Sequence, residues 1–397
     1  MPNIEKTITT KPNRILIIMP KFKPPSKESS LFATFYEEIQ ILAQKLGKLT
    51  IITTTKEKSK NKTTKNLCIY QIKDKKTPKI KGLYRIIAFA TKIYTLRNNF
   101  DCLFIRNFSS LELTMLIFTK LLKKKCVFLI PGTWIYEPVT PKNLFLRLLF
   151  RIATSLSDLI ILYSWLMLEP IKKYAPTLNS NKVRIVPNGV NIKRFKPIKR
   201  EKLKFFKKKL GLPQNGYAVL YVGRVSHSKG LKDLILAAGI VCKKLPKVHF
   251  IIVGNHYHVD FINQLKLIAR KNNVYNKIIF MGAVSNNFIP ILDNIADIFV
   301  MPSKGGEGIT RAMLEAMSCG TPVITTNVGG NPDAVINGET GFIINVGDYE
   351  TLANKILTLL KDSELRRKIG INARKRIINR FSLEKNMSHL AQILARV

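Results

Sequence analysis

The chain has 397 residues, room for two domains that each bury a substantial core, and its 46% hydrophobic and 9% aromatic content excludes a disordered polypeptide. It carries 66 Lys+Arg against 25 Asp+Glu, a formal charge of +41, and the first 200 residues hold 38 and 11 of these. Such an excess suits nucleic acid, an anionic membrane face or phosphorylated substrates, or it serves solubility alone in a lysine-rich chain.

In chain order, Arg14–Met19 reads as a buried-type strand, followed by a proline-containing loop and a helix over Leu31–Leu46 ending at Gly47. Leu49–Thr53 and Leu67–Ile72 read as strands, the second inside a Lys- and Thr-rich segment. Leu83–Leu96 is an amphipathic helix carrying Arg85 and Lys92. Strands at Cys102–Ile105 and Cys126–Ile130 flank a helix over Leu111–Leu122. Pro131-Gly132-Thr133-Trp134 follows a strand end and is a candidate site loop. A helix over Asn143–Leu156 and strands at Leu159–Tyr163 and Val183–Val186 lead to the turn Pro187-Asn188-Gly189. A basic segment, Lys193–Lys209, then separates the halves.

The second half repeats the alternation. Strands are expected at Ala218–Val222, Val248–Val253, Ile278–Phe280, Ile298–Met301, Val323–Thr326 and Phe342–Ile344. Helices are expected at Leu231–Leu245, Phe261–Lys271, Phe288–Ile295, Ile309–Ser318, Tyr349–Leu360, Ser363–Asn379 and Leu383–Ala395. Strand–helix alternation in both halves predicts an α/β protein with two doubly wound parallel sheets, ligand lying at the carboxyl ends of the strands between them.

Five scattered cysteines, Cys68, Cys102, Cys126, Cys242 and Cys319, form no C-x-x-C pair. Neither zinc nor a disulfide framework is indicated, and a reducing interior is expected. No signal peptide is expected, because Pro12-Asn13-Arg14 leads directly into a strand-like run. The longest apolar stretch, Leu144–Pro170, contains Arg147, Arg151 and Asp158 and reads as buried or amphipathic rather than spanning.

Chemistry concentrates in Met301–Thr326, a strand end, a glycine-rich loop, a helix and a new strand. Such a unit presents backbone N–H groups and a positive helix end, which suit phosphate. It carries two acids, Glu307 and Glu315. Glu315 either pairs with Arg311 one turn earlier or faces a ligand; the pair would have the less favourable orientation. A second loop, Gly223 to Gly230, holds Arg224 and Lys229, which could neutralise neighbouring phosphates. No P-loop, strict G-x-G-x-x-G or D-x-D pair is present.

These motifs stand in order: YVGRVSHSKGL from Tyr221, FMGAV from Phe280, ADIFVMPS from Ala296, GEGITRAMLEAMSCGTPVI from Gly306 and GGNPDAVINGETGF from Gly329. VRIVPNGVNIKRFKP from Val183 precedes them. Together they resemble the nucleotide-sugar-binding half and interdomain linker of retaining glycosyltransferases of family 4. The resemblance implies the GT-B architecture, two Rossmann-like domains facing each other across a cleft. It implies residues 1–192 as the acceptor-side domain, with the helix 381–397 packing back on it, and 193–380 as the donor domain.

By the same resemblance Glu307 lies against the donor sugar and Glu315 holds the ribose. Arg224 and Lys229 carry the diphosphate, Gly223, Gly306 and Gly308 shape the loops, and Ile309 and Thr310 offer backbone N–H groups. Val284 sits near the base. The implied activity is sugar transfer from a nucleotide-diphosphate sugar, the co-substrate, to a hydroxyl acceptor that is a glycan or lipid-linked. No metal and no other cofactor are expected. The charge is read as serving an anionic membrane surface, through Leu83–Arg97 and Lys56–Lys81, from the cytoplasmic side. Nucleic acid binding rests on charge alone and lacks an aromatic-interleaved motif.

The first half departs from the family pattern. Pro24–Ser30 has no glycine where the family often has a Gly-Gly loop, and all five histidines lie at His227 or later. A GT-B-shaped binding protein without catalysis is therefore an alternative, and an epimerase of the same architecture another.

Overall fold

The computed structural model describes residues 14–20, 33–55, 62–74, 78–107, 109–132, 141–209, 212, 214–255 and 259–397. Pro24–Ser30, Thr133, Trp134, His256, His258 and the 56–61 part of the lysine-rich segment lie outside them.

The first half contains β1 (Ile15–Ile18), α1 (Ala33–Leu46), β2 (Leu49–Thr55), β3 (Lys62–Thr63), β4 (Leu67–Lys73), α2 (Pro78–Thr95) and β5 (Cys102–Ile105). It continues with α3 (Ser110–Leu121), β6 (Lys125–Ile130), α4 (Pro141–Leu156), β7 (Leu159–Leu162), α5 (Leu168–Lys172) and β8 (Val183–Ile185). The strand sequences are short β-branched and leucine runs such as ILII and LIIL, buried on both faces because helices cover both sides. Their order is β3-β4-β2-β1-β5-β6-β7-β8, parallel throughout except for the edge strand β3. From β1 the chain winds outward one way to β4, then returns to β5 and winds the other way, so the order switches between β1 and β5.

The second half contains α6 (Arg200–Lys209), β9 (Tyr217–Val222), α7 (Leu231–Lys244), β10 (Val248–Val253), α8 (Val259–Lys271), β11 (Ile278–Gly282), α9 (Ile289–Ile295) and β12 (Ile298–Met301). Then follow α10 (Arg311–Ser318), β13 (Val323–Thr326), α11 (Asn331–Ala334), β14 (Gly341–Ile344), α12 (Tyr349–Lys361), α13 (Ser363–Arg380) and α14 (Leu383–Ala395). This sheet is wholly parallel, β11-β10-β9-β12-β13-β14, with its switch between β9 and β12.

Within the basic segment that separates the halves, Arg200–Lys209 folds as α6. One local expectation changes. The helix expected from Ile309 begins at Arg311, because Thr310 is held in extended backbone as its N-cap residue and Gly306 and Gly308 keep the preceding segment a loop.

The chain crosses between the sheets twice, and the crossings touch. Val190 N–H donates to Phe381 O at 2.8 Å, and Leu383 N–H donates to Val190 O at 2.9 Å. A Cβ on Gly189 would lie 2.5 Å from Leu383 Cα, so only glycine allows this approach. Beyond the crossing, α14 packs against α1 of the first sheet.

Candidate active site

A doubly wound sheet leaves a crevice where adjacent strands send their loops to opposite sides. In the second sheet that place is between β9 and β12, whose loops are Gly223–Gly230 and Pro302–Thr310. Gly230 adopts φ +67°, and a Cβ there would lie 1.8 Å from Pro302 O, so the loops close to backbone contact. Lys304 N–H donates to Ser228 O at 2.7 Å.

This approach brings together residues 78 apart in sequence. Lys229 Nζ donates to Glu307 Oε1, and Ser303 Oγ donates to the same oxygen at 2.8 Å. Both partners of the pair are about nine-tenths buried, so the ion pair lies largely out of bulk water. Arg224 stands exposed beside them, its carbonyl accepting from Tyr221 Oη at 2.7 Å. The Tyr221 hydroxyl is pushed far up by burial, with Glu307 raising and Arg224 lowering it, so all three share one neighbourhood.

Glu315 is buried on α10, and burial pushes its carboxyl up to about 7 against the cations Arg311 and Arg194. It forms no ion pair with Arg311, whose Nη2 donates to Glu38 Oε1 on α1 instead. Of the backbone donors, Thr310 N–H is already bonded to Asn331 Oδ1 at 2.9 Å, so it does not face open space. Ile309 N–H has no partner among the described residues. Val284 is half-buried in the loop after the edge strand β11, two strands from β9. His227 is exposed with its ring 3.9 Å from that of Phe261, outside the Lys229–Glu307 cluster.

The other wall comes from the first sheet. A Cβ on Gly308 would lie 2.4 Å from Pro131 O and 2.8 Å from the Tyr163 ring, so the β12 loop abuts the carboxyl end of β6. Asn188 Nδ2 donates to Ile309 O at 2.7 Å. Ser164 Oγ donates to Asp333 Oδ2. At the first sheet's switch point, Glu38 accepts from Arg106, just past β5, and from Arg311 of the second domain. Burial alone would raise Glu38, but the two guanidiniums outweigh it and hold its carboxyl below the ordinary range.

Sequence reading missed Ser303, Asn331, Asn188, Glu38 and the cross-cleft role of Arg311. Two carried a signal: Asn331 lies in the GGNPDAV run and Asn188 in a strand-ending Pro-Asn-Gly turn. Glu38 looks like any helix-surface acid until the second domain covers it. Among the described residues no group of three His, Cys, Asp or Glu could hold a metal ion.

Two Rossmann-like sheets meeting at their carboxyl ends, with cations and acids at the switch point, define a two-domain α/β protein of GT-B type. Residues 203–376 match the family described as Glycosyl transferases group 1, and residues 34–194 match Glycosyltransferase Family 4. The chain belongs to this glycosyltransferase family. Among curated relatives, the capsular polysaccharide biosynthesis glycosyltransferase of Staphylococcus aureus is 34% identical over 195 residues, 49% of each chain. The UDP-Gal:alpha-D-GlcNAc-diphosphoundecaprenol alpha-1,3-galactosyltransferase of Escherichia coli is 31% identical over 216 residues, 53% of this chain and 54% of that one. The chain thus spans about half the length of the curated relatives it matches. The fold matches sucrose-phosphate synthase from Thermosynechococcus elongatus at a TM-score of 0.80, with 19% identity, 97% of this chain and 98% of that one. An Anabaena protein solved with UDP matches at 0.76, with 20% identity, 97% of this chain and 100% of that one.

Proposed function

We propose that this chain is a retaining glycosyltransferase that moves a sugar from a nucleotide-diphosphate sugar to a hydroxyl of a glycan or lipid-linked acceptor. The observation that carries the reading is the buried Lys229–Glu307 pair at the β9–β12 switch point, with Arg224 exposed beside it. The names of the relatives support the donor and acceptor classes. One acts with UDP-galactose on a diphosphoundecaprenol-linked sugar, and one serves capsular polysaccharide synthesis.

In the reaction the bond from the sugar's anomeric carbon to the phosphate oxygen breaks, through an oxocarbenium-like state. Charge accumulates on the departing diphosphate, where Arg224 and Lys229 stabilise it. The acceptor hydroxyl bonds to the same face of the anomeric carbon, and its proton passes to the departing phosphate oxygen. Glu307 lies against the donor sugar, and the diphosphate competes with it for Lys229. Glu315 accepts from the ribose hydroxyls, Ile309 N–H and Gly308 border the phosphates, and Val284 borders the base. The cations do the work of a divalent ion, so transfer undiminished by EDTA is the expected outcome. The working location is the cytoplasmic side of a membrane, in peripheral contact with it; among the described residues no helix is long and apolar enough to cross one.

The test is transfer or donor hydrolysis across UDP-, GDP- and ADP-sugars, comparing wild type with Glu307→Ala and Lys229→Ala. Loss of at least about 100-fold in kcat/KM is expected for each, the scale of removing one preorganised charge partner. Activity unchanged in both variants would overturn the assignment.

A further inference from the structure

A helix that covers a sheet should bury one stripe and turn a polar face outward. In α4 the buried stripe is Leu149, Phe150, Ala153 and Thr154. The opposite face is not polar: Leu144, Phe145 and Leu148 are each more than half exposed, and Ile152 and Leu156 continue their line. A second, apolar line of this helix therefore faces away from the sheet, alongside the row Arg147, Arg151 and Ser155. On α2, Leu83, Ile87 and Tyr94 are likewise exposed, and Leu121 of α3 is 75% exposed. The three helices lie side by side on the same face of the first sheet, α3 in contact with both others. Their outward apolar residues therefore share one layer, on the side away from the sheet. The exposed large apolar residues of the second domain, among the described residues, are scattered over α6, α8, α13 and separate loops.

Charge decides what covers this surface. The sequences of α2, α3 and α4 contain one acid, Glu112, and it is buried. The perimeter is cationic: Arg97, Lys123, Lys124 and Arg151 stand there, and Lys173 follows at the end of α5. Arg151 Nε donates to Tyr174 O, which places the α5 segment beside α4. An apolar field on three helices that expose no acid, with cations outnumbering Asp101 and Glu169 at its edge, suits the headgroup–acyl boundary of an anionic leaflet.

Orientation agrees. α4 follows the carboxyl end of β6, whose Pro131 meets Gly308, so Leu144 and Phe145 lie at the cleft end of the helix. Exposed Trp165 and Leu166 directly follow Ser164, which bonds Asp333 of the second domain. The apolar surface thus runs up to the cleft mouth.

We propose that the outer face of the α2–α3–α4 layer seats this protein on an anionic lipid bilayer, with the cleft mouth at headgroup level. The inference deepens the proposed function by naming where a lipid-linked acceptor enters, and rests on that reading for the acceptor alone. It also moves the membrane surface from the expected Leu83–Arg97 and lysine-rich segment to a layer in which α4 is the largest contributor.

The test is co-sedimentation of the full chain with phosphatidylcholine vesicles, with and without phosphatidylglycerol, alongside a Leu144→Asp/Leu148→Asp variant and an Ile371→Asp control on α13. Wild type and control are expected to partition onto phosphatidylglycerol vesicles, more weakly at high salt. The double variant should lose at least about tenfold in partition coefficient while keeping wild-type circular dichroism. Equal partitioning of variant and wild type, equal loss in the control, or no wild-type binding would overturn the proposal. So would a wild-type dimer in sedimentation velocity that the double variant abolishes, since a second copy would then cover the face. Thermal shift by UDP, GDP and ADP on the same samples reports on the nucleotide site separately, because that site lies on the other domain.

Discussion

Lys229 and Glu307 are buried together and bonded to each other. Lys229→Ala leaves a buried carboxylate without its cation, and removing one partner of a buried pair costs about 3 kcal/mol or more. Denaturant unfolding should show that loss in addition to the loss of turnover. Glu315 behaves in the opposite sense. Its folded-state value, about 7, lies above the ordinary 4.5 because burial disfavours the carboxylate. The folded protein therefore keeps a proton that the unfolded chain releases, and stability falls as pH rises through that window by up to about 3 kcal/mol. Glu315→Gln removes the titration. Its melting temperature relative to wild type should rise between about pH 5 and about pH 8, and a constant difference would show that Glu315 is not the buried acid the fold makes it.

At the scale of elements, the site depends on how closely two loops approach. Gly230 in left-handed backbone against Pro302 O is the tightest point. Gly230→Ala adds backbone strain of about 1–2 kcal/mol and a clash with a carbonyl that has no flexible end to move. We expect lower stability and weaker nucleotide diphosphate binding together, measured by thermal unfolding with and without UDP. Unchanged binding would mean that the β9 and β12 loops can separate without consequence. The start of α10 shows the same dependence on neighbours. Local propensity favours a helix from Ile309, but Asn331, from the next βα unit, takes the Thr310 N–H and holds the segment extended.

For the whole molecule, the distinctive feature is a charged bolt through the domain interface. Glu38 joins Arg106 of its own domain to Arg311 of the other, almost wholly shielded from water. Glu38→Gln leaves a buried and a half-buried guanidinium facing each other, and about 3–5 kcal/mol of stability should go with the charge. If the bolt sets domain closure, small-angle scattering should also show a larger radius of gyration for the variant. An unchanged radius would assign closure to the backbone crossings at Val190 and Ser382 instead.

The alternation of apolar runs and amphipathic helices was enough to establish two parallel sheets, since period and length depend on nearest neighbours along the chain. The ordered motifs likewise singled out Arg224, Lys229, Glu307 and Glu315, because glycine loops at strand ends are local chemistry. What sequence could not contain is which residues meet. The Lys229–Glu307 contact follows from β12 lying beside β9, a matter of strand order, and the turn of Arg311 from Glu315 to Glu38 follows from the first domain closing over α10. The apolar outer face of α4 belongs to the same class. Leu144–Leu156 is compatible with burial on either side, and only packing against the first sheet decides which residues are left facing outward.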